Sequence, residues 1–160
     1  MANEILINRR LQKMANQLFH IVITTHSTLC EGYLKATKLI LMNDATGISA
    51  VPFKENTSPD DFEESMKEII SQHHLQPLII LTDLIGGTPN NVSIKQLNNN
   101  RIQIIAGINL PLLLELLMAQ SAGKSIEEID FKELLNNSQK SMVHINSLLK
   151  MSVKVAISIL

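Results

Sequence analysis

The 160-residue chain has little of several features that would point to common functions. Aromatic residues make up 3% with no Trp, so a surface for stacking nucleic-acid bases is not expected. The formal net charge of −1 gives no field that steers the protein toward nucleic acid or an anionic membrane. The single cysteine, Cys30, excludes an internal disulfide and a multi-thiolate metal site. We therefore expect no nucleic-acid partner, no metal ion and no cofactor.

Long apolar runs are also missing. No run reaches the ~18 residues that a membrane-spanning helix needs. The opening, MANEILINRRLQK, has no apolar core followed by a small-residue cleavage site. We therefore predict no secretion signal, no direct membrane insertion and a cytoplasmic location. The composition, with 45% hydrophobic and 18% charged residues, is typical of a globular domain.

What the chain does have is a regular alternation of short apolar runs and amphipathic stretches. Strands are predicted over residues 20–25, 48–53, 78–82 and 101–106. Capping residues predict helices that begin near Thr28, Ser58, Thr88, Asn109 and Ser125. The alternation predicts an α/β fold with a parallel sheet, right-handed crossovers and helices on both faces.

Polar residues follow the first and third predicted strands. In an open parallel sheet, ligands bind outside the carboxyl ends of the strands, at the point where strand order reverses. If the order is 2-1-3-4, His26 and Asp83 face each other at that point. A neutral imidazole nitrogen can attack phosphorus, while a carboxylate on the other nitrogen fixes the tautomer. The pair therefore predicts a phosphoryl carrier, although a lone histidine at a strand end is more often structural.

The residues around this pair would have to hold the phosphoryl group. Free amides at the helix start after His26, with the hydroxyls of Ser27 and Thr28, are candidates. The turn formed by Gly86 and Gly87 lets the backbone come close, and Thr88 adds a hydroxyl and a second helix start. The absence of Arg and Lys from both loops favours a transient, reversible carrier.

Three segments resemble a known family. Residues 20–42 (HIVITTHSTLCEGYLKATKLILM) resemble the opening of mannose-family enzyme IIA domains of the bacterial phosphotransferase system (PTS). Residues 83–90 (DLIGGTPN) resemble the second motif, whose final Asn corresponds to Asn91, and residues 107–113 (GINLPLL) the third. The resemblance covers residues 19–150, which leaves an N-terminal extension over 1–18 and a tail over 151–160.

The resemblance implies specific roles. The residue matching His26 accepts a phosphoryl group from the phosphocarrier protein HPr and passes it to an enzyme IIB for sugar uptake. The residue matching Asp83 supports that histidine, and the one matching Thr88 lies near the phosphoryl group. Family members usually have Gly after the histidine, where this chain has Ser27. A positive φ at that position would cost a serine of order 1 kcal/mol, although its hydroxyl would be a further donor.

The resemblance also implies a homodimer. Its fold is a sheet of order 2-1-3-4, with a fifth, antiparallel strand exchanged between subunits. Residues 142–148 fall where that strand is expected, although their pattern also suits the end of the last helix. The apolar alternation of residues 151–160 suggests that the tail pairs with something such as a partner subunit.

Other functions remain open from sequence alone. The chain could be a regulatory enzyme IIA-like module of a transcriptional activator, or a phosphocarrier for dihydroxyacetone kinase. A non-enzymatic flavodoxin-like binding module is a further alternative, and it predicts His26 and Asp83 more than ~8 Å apart, since a hydrogen bond needs ~3 Å. The sequence does not identify the sugar.

Overall fold

The computed structural model describes residues 19–42, 46–97 and 101–149, so the predicted extension and tail lie outside the described residues. The strands are β1 (His20–His26), β2 (Ile48–Phe53), β3 (Leu78–Thr82) and β4 (Ile102–Ala106). The helices are α1 (Leu29–Leu41), α2 (Pro59–Gln72), α3 (Thr88–Ile94), α4 (Leu110–Ser121) and α5 (Phe131–Lys140). A 3-10 turn, Ile126–Glu128, precedes α5. Within the described ranges, no helix combines the length and the apolar character needed to cross a bilayer.

The four strands form one parallel sheet in the order β2-β1-β3-β4, which confirms the predicted α/β architecture. Pro52 has no amide hydrogen to donate, and it lies on β2 at an edge of the sheet, as predicted. Strand β3, apolar except for Thr82, is central and every one of its residues is buried. The sheet therefore places β1 and β3 side by side, with Thr24 paired to Thr82.

Alternate strand residues fill two separate cores, one on each face of the sheet. Ile21 and Ile79 belong to the core that includes residues of α1, α4 and α5. Val22 and Ile80 belong to the core that includes residues of α2 and α3. Burial on both faces explains the near-continuous apolar character of the central strands.

Two of the predicted N-cap residues cap the helices that follow them. Ser58 Oγ accepts from the Asp61 amide at 3.1 Å, and Asn109 Oδ1 accepts from the Leu112 amide at 2.9 Å. The capping box from Ser125 to Glu128 also forms, but it begins only the 3-10 turn. The last helix begins instead after Asp130, whose carboxylate accepts from the Glu133 amide at 3.0 Å.

The predicted fifth strand is not formed in the single chain. Residues 145–149 are helical, which agrees with the other interpretation of their pattern. The segment leaves large apolar side chains exposed, among them Met142, Val143, Ile145 and Leu149. A strand here would need a neighbouring strand to pair with.

A buried histidine lies at the amino end of the sheet. His20 is 5% exposed, its Nε2 is 2.8 Å from Ser49 Oγ, and its ring stacks on His73 at 3.6 Å. Burial, and secondarily the charge that His73 can carry, lower the pKa of His20 from 6.5 to about 3. His20 is therefore neutral in the folded protein under ordinary conditions, with a structural role.

This depressed pKa predicts a pH-dependent stability. The unfolded chain binds a proton at His20 below pH 6.5, whereas the folded chain does so only near pH 3. Stability from this group is thus complete above pH 6.5 and falls toward pH 3, by up to about 1.4 kcal/mol per pH unit. Urea titrations between pH 7 and 4 measure how the free energy of unfolding changes with pH. His20→Gln should lose the part of this pH dependence that comes from one bound proton. His74→Gln, at an exposed histidine, is the control; equal slopes in wild type and His20→Gln would refute the assignment.

Candidate functional site

The carboxyl ends of β1 and β3 bring His26 and Asp83 into direct contact. His26 Nδ1 lies 2.9 Å from Asp83 Oδ2, and the His26 amide donates to the same oxygen at 2.9 Å. Because an ionised carboxylate can only accept, the neutral imidazole carries its proton on Nδ1. Nε2 then keeps its lone pair. The predicted juxtaposition of the two residues is therefore present in the structure.

Asp83 is held as an ionised group. Its side chain is 15% exposed, and its Oδ1 accepts from the Leu84 amide at 2.9 Å. Burial alone would raise the pKa of Asp83, but hydrogen bonds from the His26 amide and ring and from the Leu84 amide outweigh it. The net effect is a lowered pKa. The carboxylate thus presents a negative charge to Nδ1 at neutral pH.

The imidazole is more open to solvent than its partner. The side chain of His26 is 43% exposed, and its ring meets Phe53 edge-on at a centroid distance of 6.0 Å. Gly87 also lies against the ring. A Cβ atom added to Gly87 would be 2.6 Å from His26 Cε1 and 3.4 Å from Nε2. The glycine therefore leaves room beside the nitrogen that faces away from Asp83.

Two asparagines shape the loop that contains Gly86. Gly86 has a φ of +78°, its amide donates to Asn90 Oδ1 at 3.0 Å, and its carbonyl accepts from Asn91 Nδ2 at 2.9 Å. Asn90 Nδ2 also donates to Thr82 Oγ1 at 3.3 Å, which ties the loop to the end of β3. Asn90 is 4% exposed. The sequence motif indicated only Asn91, and nothing in the spacing marked Asn90 as the residue that holds Gly86.

The start of α1 differs in detail from the prediction. The Ser27 amide, expected to be free, donates to the Phe53 carbonyl at 2.8 Å. Thr28 occupies the N-cap position without a side-chain capping bond. The buried hydroxyl of Thr25 accepts from the Cys30 amide at 2.8 Å instead. Thr25 lies inside the β-branched run of β1, so this capping role could not be predicted from its position in the sequence.

The hydroxyl residues of the predicted cradle border the same edge of the sheet. Ser27 and Thr28 are exposed, while Thr88 is half-buried and begins α3, with Gly87 rather than Thr88 as its N-cap residue. Across the described ranges, the hydroxyls of these three residues donate to no other residue. They are therefore available to an external acceptor.

The fold and the sequence place the chain among known phosphotransferase system components. The structure is similar to that of the PTS IIA protein associated with the fucose utilization operon from Streptococcus pneumoniae. The TM-score is 0.72 at 28% sequence identity, over 81% of this chain and 95% of that one. A family model described as the PTS system fructose IIA component matches residues 20–133. The chain belongs to this family.

Relatives of known name agree with this membership. The fructose-specific EIIA component of Bacillus subtilis (strain 168) is 30% identical over 109 residues, which cover 65% of this chain and 68% of that protein. The mannose-specific EIIAB component of Escherichia coli (strain K12) is 26% identical over 111 residues. That match covers 68% of this chain but only 34% of the relative, so this chain spans about a third of it.

The close approach of Gly87 to the imidazole gives a specific prediction. Its φ of −70° suits alanine, so Gly87→Ala should keep the fold and push the His26 ring away from its present position. The Cε1–H and Nδ1–H resonances of His26 should shift in NMR spectra. Gly32→Ala in α1 is the control, since a Cβ there meets nothing within 4 Å and should stabilise the helix by up to ~1 kcal/mol. Unchanged His26 resonances in Gly87→Ala would contradict the contact.

Ser27 gives a second prediction, because its φ of 51° is left-handed, as expected at a position where the family usually has Gly. Ser27→Gly should raise the free energy of unfolding by up to about 1 kcal/mol, since glycine adopts this conformation without the Cβ penalty. Denaturant titration measures the difference. Asn56, at φ 66°, is the matched control, because asparagine tolerates this region and Asn56→Gly should gain less. A Ser27→Gly variant less stable than wild type would show that the serine side chain compensates for the strain.

Proposed function

We propose that this protein is a phosphoryl carrier of a sugar phosphotransferase system, with Nε2 of His26 as the atom that bears the phosphoryl group. The observation that carries the proposal is the 2.9 Å contact between Nδ1 and the Asp83 carboxylate. It leaves Nε2 as the unprotonated nitrogen of a half-exposed ring. Membership of the PTS IIA family supports the same role.

The transfer is a displacement at phosphorus. The lone pair of Nε2 forms the new N–P bond while the bond between phosphorus and the donor histidine of HPr breaks, and that donor nitrogen keeps the electron pair. The His26 ring gains positive character as its lone pair is used. The adjacent Asp83 carboxylate offsets that charge and keeps the ring oriented through Nδ1–H. Transfer to an enzyme IIB runs through the same displacement, with Nε2 as the leaving group.

Ser27, Thr28, Gly86, Gly87 and Thr88 would hold the phosphoryl oxygens. The free hydroxyls of the three hydroxyl residues can donate, and Gly87 gives the space beside Nε2 that the group requires. Neutral donors position the group without the strong charge attraction of an Arg or Lys clamp. The site is thus suited to a phosphoryl group that is held only transiently.

HPr, an enzyme IIB and a second copy of this chain are the proposed partners, and the cytoplasm is the proposed location. Family membership supports the first two. Exposed large apolar side chains are concentrated in residues 142–149, and they support a homodimer because an exposed apolar patch on a monomer marks an interaction surface. Exchange of a strand from this segment would require residues 145–149 to leave their helical conformation.

The test is incubation with labelled phosphoenolpyruvate, enzyme I and HPr. Wild type should acquire an acid-labile, base-stable label, as a phosphohistidine does, and His26→Ala should acquire none. His74→Ala removes an exposed histidine away from the site and should label like wild type. An unlabelled wild type, or equal labelling of His26→Ala, would refute the proposal.

The structure weighs against the binding-module alternative. That function predicted His26 and Asp83 more than ~8 Å apart, whereas the two side chains are in hydrogen-bond contact. A regulatory module or a carrier for dihydroxyacetone kinase would use the same chemistry at His26. Transfer of label from the phosphorylated protein to an enzyme IIB separates sugar uptake from both.

A further inference from the structure

A hydrogen-bonded path leads from α1 to the residue before Asp83. Tyr33 lies on α1 and its hydroxyl donates to the Ile108 carbonyl at 2.9 Å. Ile108 belongs to the loop after β4, and its amide donates to the Thr82 carbonyl at 3.0 Å. The amide of Gly107, which has a φ of +85°, donates to the same carbonyl at 2.9 Å. Thr82 is followed directly by Asp83, so the path ends beside the carboxylate that holds His26.

This path joins the two halves of the site independently of the strand ladder. The pairing of β1 with β3 ends at Thr24 and Thr82, before either functional residue. Beyond that point the His26 loop continues into α1, which carries Tyr33, and the Asp83 loop starts at Thr82. The contact from Tyr33 to Ile108 therefore fixes α1 relative to the loop that holds the Thr82 carbonyl. A shift of either element would change the spacing between Nδ1 and the carboxylate.

The Asp83 carboxylate also affects the ionisation of the Tyr33 phenol. Burial, and secondarily the negative charge of Asp83, raise the pKa of Tyr33. The hydroxyl, which is protonated at neutral pH in any tyrosine, thus stays able to donate to higher pH than usual. Its ring packs against the core that includes Leu112 and Leu113, a contact that phenylalanine would preserve.

We propose that Tyr33 is a positioning residue for phosphoryl transfer: its hydroxyl, through Ile108 and Thr82, sets the position of Asp83 against Nδ1 of His26. The kinetic consequence rests on the function proposed above, whereas the effect on the His26–Asp83 hydrogen bond does not. Tyr33 touches neither the phosphoryl group nor the reacting nitrogen. Its removal should therefore slow transfer without weakening the binding of phospho-HPr.

The experiment compares Tyr33→Phe with Thr37→Val. Thr37 is on the same helix and its hydroxyl also donates to backbone carbonyls, those of Tyr33 and Leu34, but it has no link to the loop after β4. Tyr33→Phe should reduce kcat for phosphoryl acceptance by about two- to tenfold, the effect of one lost neutral hydrogen bond, with KM for phospho-HPr unchanged. The His26 Nδ1–H resonance should move upfield and exchange faster with solvent. Thr37→Val should keep the wild-type kcat and resonance.

Two outcomes would overturn the inference: wild-type kcat and Nδ1–H resonance in Tyr33→Phe, or an equal loss in Thr37→Val. A wild type that accepts no label would refute the proposed function instead, and the resonance would still test Tyr33. If Tyr33→Phe does not fold, biosynthetic 3-fluorotyrosine replaces it, since Tyr33 is the chain's one tyrosine. The fluorinated phenol ionises at lower pH and then cannot donate to Ile108. Acceptance should fall in that pH range relative to wild type, and identical pH profiles would overturn the inference.

Discussion

The hydrogen bonds that Asp83 accepts from the amide and the ring of His26 are the constraint on which the site depends. One carboxylate oxygen receives both, so the position of the backbone and the orientation of the ring are set together. The second oxygen receives the Leu84 amide, which prevents the carboxylate from rotating away. These bonds also keep Asp83 ionised despite its burial. A neutral Asp83 would lose the charge-assisted bond to Nδ1–H, worth ~1.5–3 kcal/mol, and with it the preference for one tautomer.

The topology makes this contact possible. His26 and Asp83 are far apart in the chain, and they meet because β1 and β3 are neighbours in a parallel sheet. The strand order reverses between them, since β2 lies on the outer side of β1 and β4 on the outer side of β3. The connections to α1 and α3 therefore lead to opposite faces of the sheet. Such a divergence leaves a crevice at the carboxyl ends of β1 and β3. Gly87 keeps that gap clear beside the imidazole, because any larger side chain would collide with Cε1.

Much of this arrangement could be predicted from the sequence, for identifiable reasons. The strands are short runs dominated by apolar residues, and the 2-1-3-4 order that the family resemblance implies places His26 and Asp83 side by side. The side chains that form hydrogen bonds with backbone groups near the site could not be identified from the sequence pattern. Thr25 and Asn90 are buried polar residues whose partners, the Cys30 and Gly86 amides, are set by loop geometry. Tyr33 packs against the core from α1, and a residue of that kind in an amphipathic pattern is expected to pack rather than to form the bond to Ile108. The last segment was ambiguous because a strand over residues 142–148 depends on a partner that a single sequence does not contain.

The balance of charge around His26 is consistent with a carrier that must release its group. Binding energy that stabilised the phosphorylated state strongly would lower the free energy of the intermediate and slow the second transfer. The ionised group in contact with the imidazole is Asp83, which is negative and lies on the side of the ring away from Nε2. Lys54 follows β2 at the same edge of the sheet, but its ammonium group is 3.9 Å from the carboxylate of Glu31. Beside Nε2 lies Gly87, and the proposed cradle adds only further neutral groups, the hydroxyls of Ser27, Thr28 and Thr88. In the proposed function, such neutral groups would orient phosphoryl oxygens in the transition state and leave a phosphorylated His26 close in free energy to its donor and acceptor.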